Sequence, residues 1–77
     1  MKIVGIDRGK IIITIGDKSL TVTGELAATP IFYADINSIR YWNYPFNTIE
    51  ITKDEREKII LDVTEQTKNT EIKILFD

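Results

Sequence analysis

The 77-residue sequence contains no cysteine and no histidine, and it has only two prolines and four glycines. Without cysteine the chain cannot form a disulfide or a thiolate metal site, and without histidine it lacks the commonest catalytic base and zinc ligand. No apolar run approaches the roughly 18 residues that a membrane-spanning helix needs. A disulfide scaffold, a Cys- or His-ligated zinc domain and a membrane span are therefore excluded.

An excess of positive charge is missing as well, since ten Lys and Arg residues stand against twelve Asp and Glu residues. The charges are interspersed, and no basic stripe or polybasic cluster is present, which disfavours nucleic acid and anionic membranes as partners. Asp7 and Arg8 interrupt the first apolar stretch, so we expect that this N-terminal stretch is not a signal peptide. We expect a cytoplasmic protein made of one domain over residues 1–77.

Residues that could perform catalysis are scarce. Ser19 and Ser38 lack the flanking motifs of a nucleophile, and Lys18, which directly precedes Ser19, would point to the opposite face of a strand. The glycines are scattered and form no phosphate loop. Asp54 and Glu57 could share a cation on a helix, but an exposed charged helix face explains them better. We predict a protein that is not an enzyme, with no catalytic, cofactor-binding or metal-binding residues.

Isoleucine, valine and threonine make up 27 of the 77 residues, a composition that favours β-strands. Turns centred on Arg8-Gly9 and Gly16-Asp17, where glycine accepts a positive φ, predict a meander of three antiparallel strands. The pairs predicted on its buried face are Ile6 with Ile11, Val4 with Ile13, Ile13 with Leu20, and Ile11 with Val22. The opposite face is predicted to carry Thr14, Ser19, Thr21 and Thr23, with Ile3 and Ile12 as apolar exceptions. A fourth strand is predicted over residues 31–34.

The C-terminal third has the pattern of a helix followed by a strand. Thr52 and Glu55 form a capping-box signature, which predicts a helix over about residues 52–68. One helix face is predicted to lie on the sheet and comprises Arg56, Ile59, Ile60, Val63 and Thr67. Leu61 falls on the opposite side, Asn69 is a candidate left-handed stop, and a last strand is expected over about residues 70–76. The fold class is therefore α+β, with a mostly antiparallel sheet.

Aromatic residues are concentrated in one short window, because six of the seven lie between Phe32 and Phe46. Tyrosine, tryptophan and arginine are enriched at the energetic centres of protein interfaces. The candidate partner-binding residues are Tyr33, Asp35, Arg40, Tyr41, Trp42 and Tyr44. Core packing is the competing interpretation: it is favoured for Phe32 and Phe46 and explains Tyr41 and Trp42 equally well.

Several motifs together resemble a known family. They are Leu20-x-Val22-x-Gly24-Glu25-Leu26, Phe32-Tyr33-Ala34-Asp35, Ser38-Ile39-Arg40 with Trp42 and Pro45, the helix residues Glu55-Arg56 and Ile59-Ile60, and Ile72-x-Ile74-x-Phe76. The chain resembles the small immunity proteins of bacterial polymorphic toxin systems, in particular the immunity protein 74 family. The resemblance implies a cytoplasmic protein that binds and neutralises a cognate toxin encoded next to it, with no catalysis and no cofactor.

Two other functions stay open on the residues alone. The aromatics could stack on unpaired bases of a single-stranded nucleic acid, although the cations that accompany such a site are missing. The chain could also be a self-associating structural domain that pairs through exposed Ile3, Ile12 and Leu61. We expect a monomer or a weak homodimer.

Overall fold

The computed structural model describes residues 1–77 as one five-stranded sheet with a helix on one face. Its elements are β1 (Lys2–Ile6), β2 (Lys10–Ile15), β3 (Lys18–Leu26), β4 (Ile31–Ala34), a short 3-10 helix (Ile36–Ser38), α1 (Lys53–Thr67) and β5 (Lys73–Phe76). The strands lie in the order β1-β2-β3-β4-β5, and all neighbours are antiparallel except β4 and β5, which are parallel. The predicted α+β class and initial meander are confirmed. The parallel pair arises because the chain crosses over through α1 before it returns to the sheet.

The two meander turns form at the predicted positions but by different means. Gly16 has a φ of 62°, as predicted for a glycine turn, whereas Gly9 has no positive φ, so that part of the prediction is wrong. In the first turn the Asp7 carboxylate accepts hydrogen bonds from the backbone N–H groups of Gly9 and Lys10, both at 2.9 Å. An aspartate that bonds the backbone just after it stabilises a turn without a left-handed residue.

The β1–β2 register departs from the prediction at Val4. Ile6 lies opposite Ile11 as predicted, but Ile13 lies opposite Ile3 rather than Val4, because a β-bulge falls between Ile3 and Gly5. Because of the extra residue, the part of β1 that precedes the bulge presents the opposite set of side chains to the core from the set that was predicted. Ile3 therefore packs against the core, contrary to its predicted exposure, and Val4 is 51% exposed. Both predicted pairs between β2 and β3 are confirmed.

Helix α1 begins with the predicted capping box. The Glu55 backbone N–H donates to Thr52 Oγ1 (3.1 Å), and the Thr52 N–H donates to the Glu55 carboxylate (2.9 Å). Ile59, Val63 and Thr67 are buried, and Leu61 is 70% exposed on the opposite side, as predicted. No helix in the structure is both long and apolar enough to traverse a bilayer.

The end of α1 differs from the prediction, because Asn69 does not have a positive φ. The Thr70 hydroxyl instead lies within hydrogen-bond distance of the Thr67 carbonyl (2.9 Å) and the Ile72 carbonyl (2.7 Å), and this bonding turns the chain back towards the sheet. Residues 68–72 form this connection, so β5 begins at Lys73 rather than near residue 70.

The core lies between α1 and the inner face of the sheet. Its twelve buried apolar side chains are those of Ile11, Ile13, Leu20, Val22, Phe32, Ala34, Ile39, Trp42, Ile51, Ile59, Val63 and Ile74. The one buried polar side chain is Thr67, whose Oγ1 donates to the Val63 carbonyl (2.9 Å) and accepts from the Ile74 N–H (3.1 Å). This hydroxyl joins α1 to β5 inside the core.

Candidate functional site

The aromatic-rich segment after β4 runs along one side of β3. Strand β4 pairs only with Gly24–Leu26, so residues 19–23 of β3 have no strand on that side. The following segment takes its place. The Asp35 N–H donates to the Thr23 carbonyl (2.8 Å), and the Asn43 N–H donates to the Ser19 carbonyl (2.8 Å). The segment therefore follows β3 from its end back to its start.

Side-chain hydrogen bonds hold this segment in place. Asn43 Nδ2 donates to Ser19 Oγ (3.2 Å) and to Thr21 Oγ1 (3.0 Å). Asp35 caps the 3-10 helix by accepting from the Asn37 N–H (2.9 Å). The Ser38 hydroxyl accepts from the Thr23 N–H (3.1 Å) and donates to the Asp35 carbonyl (2.6 Å). These bonds restrict the backbone of the segment, so the backbone does not have to be ordered when a partner binds.

Five of the six predicted binding residues lie on the surface. Tyr33 is 42% exposed, Tyr41 52% and Tyr44 86%, and Asp35 and Arg40 are also exposed. Tyr41 forms an isolated antiparallel bridge with Glu50, so the start and the end of the chain between the 3-10 helix and α1 are paired with each other. Large exposed tyrosines on a restrained segment have the properties of interface anchors.

Trp42, the sixth predicted residue, belongs to the core instead. It is 4% exposed, and the Lys18 ammonium lies 5.6 Å from its ring centroid and 5.5 Å from that of Phe46. The indole Nε1 is buried without a hydrogen-bond partner. The indole lies near the start of α1, where it lines a cavity of about 310 Å³ together with Ile15 of β2 and Ile59 of α1.

The distance between the two ends of the segment follows from the β3 register. Tyr33 lies opposite Glu25, and Asn43 is bonded to Ser19, six residues away, which is about 20 Å along a strand. A typical interface buries about 800 Å² on each partner, a patch roughly 30 Å across. The exposed residues of the segment therefore fit within one interface of ordinary size.

The structure adds one residue that sequence reasoning missed as a binding candidate. Leu75 of β5 lies opposite Tyr33 in the parallel pair, and each of the two is 42% exposed on the outer face of the sheet. The alternation of the last strand shows that Leu75 faces away from Ile74, but no local signal places it beside Tyr33. We call the enlarged set the aromatic edge, and it comprises Tyr33, Asp35, Arg40, Tyr41, Tyr44 and Leu75.

The aromatic edge offers rings, phenol hydroxyls, an aliphatic side chain and one charge of each sign. Asp35 and Arg40 supply those charges, and Arg40 is its only cation. No group of three or more Asp or Glu side chains in the structure is arranged to hold a metal ion. Apolar and aromatic contacts with scattered polar groups are the composition of a protein-binding surface.

Comparison with known proteins identifies the chain at the family level. The profile of one protein family, described as Immunity protein 74, matches residues 3–77, which is nearly the entire sequence. No curated protein and no solved structure gives a match. The match covers all five strands apart from Lys2, the helix and the whole aromatic edge. The chain therefore belongs to the immunity protein 74 family.

Proposed function

We propose that this protein binds a cognate bacterial toxin through the aromatic edge and neutralises it, without a catalytic step of its own. The observation that carries the proposal is the family match over residues 3–77. Immunity proteins protect the cell that makes a toxin, or a neighbour that receives it. We further propose that the toxin is encoded beside this chain, as in polymorphic toxin systems, and that the complex forms in the cytoplasm.

The energetics of neutralisation favour a compact cluster of strong contacts. Protection requires nearly all toxin to be bound, which corresponds to a Kd of about 1 nM or below, or about −12 kcal/mol. Such affinity comes from a few anchors, most often tyrosine, tryptophan and arginine. Three exposed tyrosines and Arg40 lie within the aromatic edge.

The restraint of the segment supports the same surface. Its backbone is bonded to β3 at Thr23 and Ser19, and the Asn43 side chain adds two further bonds. Tyr44, the most exposed aromatic residue, directly follows Asn43. Binding therefore has to immobilise few additional groups, which leaves more of the contact energy as affinity.

Co-expression with the product of the adjacent gene tests the proposal directly. We expect the two proteins to co-purify as a stable complex, and we expect growth of a toxin-expressing strain to be restored. Leu61→Ala is a matched control, because Leu61 is exposed on α1, away from the core-facing stripe. This variant should still protect the cell from the toxin. Absence of both a complex and growth rescue would overturn the proposed function.

A further inference from the structure

The unpaired edges of the sheet differ in how far other parts of the chain cover them. At β5, Thr67 Oγ1 accepts from the Ile74 N–H, and just before the strand Thr70 Oγ1 lies 2.7 Å from the Ile72 carbonyl, so the start of this edge is covered. The exposed part of β3 is closed by the segment after β4. At β1, no hydrogen bond from outside the β1–β2 ladder reaches the backbone of residues 3–6. An edge strand without such cover can pair with another strand.

The side chains around β1 make the same region apolar. Val4 is 51% exposed and Ile6 37% exposed. An open groove of about 360 Å³ lies beside the strand, with Ile3 and Ile6 on one side and residues from the end of α1 to the start of β5, including Ile72, on the other. A strand added to β1 would bond the outward backbone groups, and its alternate side chains would reach this groove.

The charges of β1 indicate what kind of strand fits there. Lys2 begins the strand, Asp7 follows directly after its end, and no charged residue lies between them. Backbone hydrogen bonding from Gly9 lowers the pKa of the Asp7 carboxyl, so this group is negative at neutral pH. Two β1 strands that pair antiparallel bring each Lys2 towards the Asp7 of the other copy, whereas parallel pairing would align like charges.

We propose that two copies of this protein pair through β1, antiparallel across a two-fold axis, to form a weak dimer. In such a dimer the β1 edge of each copy is paired with that of the other, so no open β1 edge is left for a third copy and assembly ends at two subunits. The bulge at Val4 and the short length of β1 limit the buried area to the range below about 1,200 Å² that is typical of transient contacts. Because β1 is separated from β3 by β2, the aromatic edge stays accessible in the dimer.

Sedimentation equilibrium on the full chain tests this dimer, from about 20 μM to about 1 mM protein, a range that spans weak association. We expect the average mass to rise towards twice 8.8 kDa with concentration. Val4→Lys should stay monomeric throughout, because a lysine on an edge strand opposes pairing. Leu61→Lys adds the same charge at another exposed apolar position and should dimerise like the unmodified protein.

Amide hydrogen exchange provides a second measurement. Exchange at residues 3–6 should slow at high concentration in the unmodified protein and remain fast in Val4→Lys. If circular dichroism shows that Val4→Lys is unfolded, Lys2→Glu replaces it and should weaken the dimer several-fold through like charges. A monomer at the highest concentration, equal dimerisation of the β1 variants, or protection of residues 3–6 only when a toxin is added would each overturn the proposal.

Discussion

The ring of Phe32 occupies the space that a side chain on Gly24 would need. A Cβ atom at Gly24 would lie 2.6 Å from Cε1 of Phe32 and 2.9 Å from Cα of Ala34, and it would also collide with the Tyr33 carbonyl oxygen. Gly24 thus lets β3 and β4 approach each other while Phe32 is fully buried. Because Tyr33 follows Phe32 in the same strand, this packing also directs Tyr33 to the outer face.

We expect Gly24→Ala to lower the free energy of unfolding by about 3 kcal/mol, since the methyl group meets backbone atoms that cannot move away. A domain of this size has a total stability of roughly 4–11 kcal/mol, so the loss is large. Urea denaturation measures it. Gly9→Ala is the matched control, because its Cβ would meet nothing within 4 Å. Similar midpoints for the two variants would contradict the packing described here.

Thr67→Val should destabilise the protein by about 1–3 kcal/mol although it preserves the shape of the side chain, because the buried Ile74 N–H loses its acceptor. Thermal and urea unfolding provide the measurement. Thr64→Val, on the same helix, is the control, since the Thr64 hydroxyl makes no hydrogen bond in the structure. Equal stability of both variants would show that the Thr67 bond to β5 contributes little.

Tyr44→Ala should weaken toxin binding at least about tenfold, the loss typical of an anchor side chain, and leave the melting temperature nearly unchanged. The reason is that Tyr44 is 86% exposed and contributes little to the fold. Titration calorimetry with the purified toxin measures the affinity, and Tyr41→Ala should act in the same direction. Leu61→Ala should bind normally. Unaltered binding by both tyrosine variants would remove the aromatic edge from the proposed interface, while toxin neutralisation through another surface would still stand if the complex forms.

We expect the stability of the folded protein to depend on the ionisation of Asp7 at acid pH. Hydrogen bonding from the Gly9 backbone lowers the pKa of the Asp7 carboxyl below its ordinary value of 3.8, so the charged form favours the folded state. The resulting stabilisation is complete above the unfolded pKa and disappears as the pH falls through the lower folded pKa. Unfolding followed from about pH 6 to about pH 2.5 should show a steeper loss for the unmodified protein than for Asp7→Asn, which keeps an acceptor oxygen but cannot titrate. Parallel curves would contradict this role.

Local sequence patterns predicted much of the fold because their causes are local. The capping box of Thr52 and Glu55, the exposed position of Leu61 and the pairing of β2 with β3 all follow from residues close together in the chain. The bulge at Val4 was missed because the local pattern there suits either alignment. Burying Ile3 against the core selects the bulged one.

The candidate binding surface, too, was determined partly by the sequence and partly by the tertiary structure. The sequence by itself determined the concentration of aromatics between Phe32 and Phe46, the absence of cysteine and histidine, and the family pattern. Only the tertiary structure decided that Trp42 fills the core while Tyr44 stays outside, and that Leu75 joins Tyr33. The physical reason is that burial and parallel pairing depend on which distant segments meet, and here the path of the chain through α1 and along β3 brings them together.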